Sequence, residues 1–259
     1  MGNEVKGYYS NNKKKLLKDF NQTFQLMKNE EIDNGKTIDS LKSELFSEYE
    51  KIIPEIPCFK GYRQRMFNNM LLITAQILAA YRVLKRYDQS PEEVWIICHQ
   101  ALQARLKAIP KWKRWLMKQF WHTIFGSMLK RRGRRNLKET LINFHMEYLE
   151  GDGKHYDFGI NYRKCGHHEF LKQQEAEEIF PYVCLADIAL SDAFGWGLIR
   201  TQTIGDGCEY CDFRFKKGSV TKITSNNSIV QNVINQVTFY TSFVRPQYTF
   251  PCKGFYRRT

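Results

Sequence analysis

The spacing of apolar residues changes once along this chain, and that change limits the fold more than any other feature. Up to about residue 130 they recur every three or four positions, and from Leu141 they recur every second position. A period near 3.6 buries one stripe of a helix, whereas a period of two buries one face of a strand. Leu16, Phe20, Phe24 and Met27 set a first helix, broken at Asn34-Gly35. Ile38 to Ile52 forms a second, ended by Pro54 and Pro57. Met70, Ile73, Ile77, Tyr81 and Leu84 mark the clearest one. Ser90-Pro91-Glu92-Glu93 opens the next, which ends before Pro110. There Ser90 caps, Pro91 suits the first helical position and Glu93 completes a capping box. Helix resumes over 111–129.

In the second regime Ile142, Phe144, Met146 and Tyr148 share a face opposite Asn143, His145 and Glu147. Gly151-Asp152-Gly153 turns this strand into a partner over Phe158 to Tyr162. A short helix from Cys165 through Glu178 follows, then a largely apolar one from Pro181 to Phe194. Next, Leu198, Arg200 and Gln202 alternate with Ile199, Thr201 and Thr203, and Cys211, Phe213 and Phe215 alternate with Tyr210, Asp212 and Arg214. Gly205-Asp206-Gly207 lies between the two runs, so they form a β-hairpin with Thr203 and Cys211 near its turn. The order is that of an α+β protein: a helical N-terminal half packed with a small antiparallel β-sheet. Its strands fall near 141–149, 156–163, 197–204 and 209–216. Three regions are expected: an N-terminal helical extension over 1–57, an α+β domain over 58–218, and a basic aromatic extension over 219–259. In the last, Ile229, Val230, Val233, Ile234 and Val237 suggest an amphipathic helix, and Phe239 to Tyr256 has no clear period.

Charge is concentrated. The net charge is +13, and residues 101–140 hold twelve Lys or Arg against the single acid Glu139. Such a segment suits nucleic acid or an anionic membrane surface. No zinc-finger, RNP or helix-turn-helix pattern accompanies it, so sequence-specific nucleic-acid binding is not expected. Trp112, Trp115, Phe120, Trp121 and Phe125 are interleaved with these cations. The favoured reading is a core helix with a solvated basic end; the other is a weak contact with an anionic membrane surface. A homodimer is also admitted. The longest apolar run, Met70 to Tyr81, is interrupted by Thr74 and Gln76 and is too short to span a bilayer. Seven cysteines and a lysine-rich N-terminus without a signal-peptide core point to reduced thiols in a cytoplasmic protein.

Several residues carry possible chemistry. Cys184, Asp187 and Ser191 form one polar stripe on an apolar helix. A carboxylate buried there needs a partner, and Arg200 or Arg163 suits. Its alternatives are a structural lock between helix and sheet or a catalytic group. Cys165 opens a helix, whose positive end favours thiolate, and His167 and His168 are close in sequence. Burial as a small hydrophobe is the other reading. Cys208-Glu209-Tyr210-Cys211 is a CxxC, but it lies at a hairpin and no second pair has zinc-ligand spacing. No metal and no cofactor are expected. His145, in an alternating strand, is a further candidate. Nucleophile-elbow, P-loop and HExxH patterns do not occur.

Three blocks taken together resemble a known family. Tyr162-Arg163-Lys164-Cys165, Cys184-Leu185-Ala186-Asp187, and Arg200-Thr201-Gln202-Thr203 with Cys211-Asp212-Phe213-Arg214 look like signatures of the L-2-amino-thiazoline-4-carboxylic acid hydrolases, over roughly 60–217. The resemblance implies an enzyme that hydrolytically opens a small cyclic C=N substrate, a thiazoline or cyclic amidine. Cys165 or Cys211 would then attack or polarise water, and Asp187 would manage the amidine proton. Arg200 or Arg163 would hold a substrate carboxylate, with Thr203, Ser191 and His145 also binding. The alternative is a non-catalytic small-molecule sensor of the same fold.

Overall fold

The computed structural model describes residues 6–28, 30–58, 65–141 and 144–243. It opens with helices α1 (Lys6–Asn11) and α2 (Lys13–Gln25), then a two-stranded ribbon of β1 (Glu31–Ile32) and β2 (Lys36–Thr37). Helix α3 (Ile38–Ile52) has the predicted limits, and Pro54 turns its end into a short 3-10 segment. Helices α4 (Arg65–Leu84) and α5 (Pro91–Ala108) follow. The capping box of α5 is formed: the Ser90 N–H donates to Glu93 at 2.7 Å and the Glu93 N–H to Ser90 Oγ at 3.3 Å.

The helix over 111–129 is divided. Helix α6 (Lys111–Phe120) runs through a π turn at Trp121–Phe125 into α7 (Gly126–Arg134). The expectation of a packed aromatic helix holds only for part of it. Trp121, Phe125 and Leu129 face inward, whereas Trp112 is 61% exposed and Trp115 60%.

The sheet has six strands in the order β3 (Lys138–Leu141), β4 (Phe144–Glu150), β5 (Phe158–Lys164), β7 (Cys211–Phe215), β6 (Leu198–Arg200) and β8 (Lys222–Ile223). It is larger than expected and mixed, because β8 pairs with β6 in parallel. The predicted pairing of 197–216 is present, with Leu198 opposite Phe215 and Ile199 opposite Arg214. Ile142 and Asn143 lie outside the described residues. One face carries Phe144, Met146, Tyr148, Phe158 and Ile160, all buried under helices. The other carries Glu147, Arg163, Asp212 and Arg214. Helices on one face and water on the other is the usual state of a largely antiparallel sheet.

Between β5 and β6 stand α8 (Gly166–Gln173), α9 (Phe180–Val183) and α10 (Ala186–Phe194). The single helix expected over 181–194 is therefore two. The Arg200 guanidinium donates to the Cys184 carbonyl at 2.9 Å. The Ile188 N–H, which would bond that carbonyl in a continuous helix, bonds Leu185 at 3.0 Å instead. Helix α10 stops at Gly195, whose φ of +61° is a left-handed cap that glycine takes without a Cβ penalty. Helix α11 (Ser228–Phe243) buries Val230, Val233, Ile234 and Val237 but exposes Ile229. One hydrophobic cluster joins Tyr9 at one end of the described chain to Val237 at the other.

Candidate active site

A cavity of about 70 Å³ lies between the covered sheet face and helices α4, α8 and α10. Met70, Ile73 and Thr74 enter from α4, and Phe144, Tyr162, Cys211 and Phe213 from the sheet. Val183, Cys184, Ala186, Asp187 and Leu190 come from the α9–α10 segment. Cys165 and His167 stand at the head of α8, and Arg200 at the end of β6. Most of the wall is apolar. The polar groups are three thiols, a carboxylate, a guanidinium, an imidazole, the Thr74 hydroxyl and the Tyr162 phenol. Strand pairing brings some of these together: β5 and β7 set Tyr162 opposite Cys211 and Ile160 opposite Phe213.

Asp187 and Arg200 make the central ion pair, with Nη1 2.5 Å from Oδ2. The Arg200 side chain is only 2% exposed and packs its guanidinium over Phe213 at 5.6 Å. Nη1 is shared with the Cys184 carbonyl, while the buried Nε has no partner among the described residues. Burial pushes the Asp187 carboxyl up to about 6, against the pull of Arg200. Burial also holds His167 down to about 4, so it is a neutral imidazole at pH 7; its Nδ1 lies 2.7 Å from Thr74 Oγ1.

The thiols do not follow the expectation for a helix head. Cys165 caps α8, and the backbone N–H groups of His167 and His168 favour its charged form. Burial outweighs them and raises the thiol to about 11. Burial likewise raises Cys211 to about 12 and Cys184 well above its ordinary value. Cys211 Sγ accepts the Ile204 N–H at 3.2 Å. Cys165 is half-buried and Cys211 fully buried, so Cys165 is the more accessible of the two.

Of the residues singled out in the sequence, Cys165, Cys211, Asp187 and Arg200 meet on this cavity. The other four lie elsewhere. Thr203 Oγ1 donates to Asp206 Oδ2 at 2.9 Å and caps the 3-10 turn Ile204–Asp206. Ser191 Oγ accepts the Leu198 N–H at 3.2 Å and the Thr221 hydroxyl at 2.8 Å. Arg163, on the open sheet face, pairs with Glu147 at 2.9 Å and with Glu209. His145 lies on that face too, beside Thr140 and Lys164 in register. Cys184 and His167 join the wall. The polar stripe had marked the first; only nearness to Cys165 marked the second. The half-buried Met70 and Ile73 belong to the α4 stripe that reads as core.

A partly enclosed, mainly apolar pocket with a few convergent polar groups defines a small-molecule site, here on an α+β scaffold. The chain belongs to the L-2-amino-thiazoline-4-carboxylic acid hydrolase family, whose model matches residues 71–215. That span contains every residue of the cavity wall except Met70. Membership supports a hydrolase-type function. No curated protein and no solved structure matches the chain.

Proposed function

We infer that this cavity hydrolyses a small cyclic C=N compound bearing a carboxylate, a thiazoline or cyclic amidine. The observation that carries this reading is the Asp187–Arg200 pair set in an apolar wall beside three thiols. Asp187 commits Oδ2 to Arg200 and keeps Oδ1 for a substrate N–H, and an amidinium pairs well with a carboxylate. Arg200 keeps Nη2 for the substrate carboxylate. Cys165 is the favoured attacking group, with Cys211 second. Its raised thiol must lose a proton on attack, and the basic C=N nitrogen of the substrate, held against Asp187, is the acceptor, because burial holds His167 down to about 4. Attack at the C=N carbon gives a tetrahedral adduct, a ring bond to that carbon breaks, and the leaving atom takes a proton. Water then releases the opened product and restores the thiol. The cavity is smaller than the ~150 Å³ that admits a benzene ring, so a five-membered ring with its substituents requires the wall at Met70 or Leu190 to yield.

Incubation with 2-amino-thiazoline-4-carboxylate, followed by chromatography of the products, tests the reading. Cys165→Ala and Asp187→Asn are each expected to lower turnover by at least roughly a hundredfold while the far-ultraviolet spectrum is retained. Wild-type rates in both folded variants exclude the assigned residues. A ligand that raises the melting temperature without being consumed favours the sensor reading instead.

A further inference from the structure

The α6–α7 segment presents a second feature, and none of its residues lines the cavity. Trp112, Leu116, Phe120, Ile124 and Met128 recur every fourth residue, and all are exposed, as is Trp115. In an α-helix a row of fourth residues creeps around the axis by about 40° per step. The wider π turn at Trp121–Phe125 counters that drift and helps to keep the row in line. Soluble surfaces carry scattered large apolar side chains, but a continuous ridge of six marks a contact surface.

Cations flank the ridge. Lys111, Lys113 and Lys118 are exposed along α6. Beyond it an open groove sets Arg131, Arg132, Arg135 and Lys138 beside Met128 and Leu137. Among the described residues no carboxylate pairs with Arg131 or Arg135. An apolar ridge with cationic flanks matches a bilayer surface whose headgroups are anionic: the ridge enters the acyl boundary and the cations meet phosphates.

Other occupants fit less well. A second copy meeting this face about a two-fold axis would set the same cations against each other. The segment 244–259 contains Arg245, Lys253, Arg257 and Arg258 and no acid, so it offers no charge complement. RNA supplies phosphates but no apolar phase for Leu116, Ile124 and Met128. No described helix is long and apolar enough to cross a membrane. We propose that the α6–α7 face docks the protein on anionic phospholipid bilayers, lying in the interfacial plane.

The test is co-sedimentation of the full chain with vesicles of phosphatidylcholine alone and of phosphatidylcholine and phosphatidylglycerol at three to one. Partition onto the anionic vesicles is expected, with a blue shift of tryptophan emission and about a tenfold loss on moving from low to high salt. Trp112→Ser with Trp115→Ser, and separately Arg131→Glu with Arg135→Glu, should each lower partition about tenfold. Both pairs are exposed, and unchanged circular dichroism and melting temperature will show that they fold. No partition, or equal partition onto both vesicle types, overturns the proposal. So does a dimer that the tryptophan pair abolishes in a chain that ignores vesicles, or sub-micromolar RNA binding by such a chain.

Discussion

Asp187 shows how much a single residue is shaped by what surrounds it. Its ordinary carboxyl value of 3.8 rises to about 6 because burial disfavours the charge more than Arg200 favours it. Between those two values the folded chain holds more protons at this site than the unfolded chain does. The site's contribution to stability is therefore full at low pH and declines as pH rises through that window. Unfolding midpoints of wild type and Asp187→Asn, compared from pH 4 to pH 7, should reveal that decline in the difference between them. Activity has the opposite limb: if ionised Asp187 accepts the substrate proton, kcat/KM rises through about pH 6 in the wild type, and the residual rate of the variant lacks that limb. The sequence made Asp187 and Arg200 visible, because an acid on an apolar helix requires a cation. It could not separate Arg200 from Arg163. That choice depends on which strand face each occupies: Arg200 points under the helices and Arg163 to the open side.

At the level of elements, local signals were legible and long-range ones were not. The capping box of α5 uses residues three apart, so Ser90 and Glu93 announce it by spacing alone. Ser90→Ala should cost about 1 kcal/mol in urea unfolding, and a loss near zero would mean that the cap is dispensable. The break between α9 and α10 has no such signature. It depends on a guanidinium sixteen residues away that takes the Cys184 carbonyl from its own helix. Strand β8 is two residues long and pairs in parallel, too short to show a period. Thr203 reads as a pocket residue from its place with Cys211 beside the hairpin turn, but β6 ends at Arg200 and the chain then folds into the Thr203-capped turn. Alternation predicts faces only while a strand continues.

For the whole molecule, the switch from helical to strand spacing is enough to convey the α+β layering. The position of the cavity required those layers to be assembled. Its wall draws on α4, the α8 head, the α9–α10 segment and the far end of the sheet, and Met70 and Phe213 are separated by most of the family match. Individually, Met70, Ile73 and Leu190 read as core, and they differ from core only in packing around a space. Exposure along α6 was equally hidden, since a Trp and Lys mixture has one pattern whether its aromatic stripe faces protein or solvent.

The junction of these parts has an optical consequence. Trp121, in the π turn, stacks on Trp196 just beyond α10, with ring centroids 4.4 Å apart and planes inclined by 17°. His122 Nε2 lies 2.7 Å from the Gly195 carbonyl at the same place. Two indoles this close share their electronic transitions, so the folded chain should show a paired positive and negative exciton band in circular dichroism. Trp121→Phe should erase the couplet, and an unchanged spectrum would place the two rings apart in solution. Because Trp196 follows the helix that bears Asp187, the couplet registers any shift of that helix end against the cationic segment, without an added label.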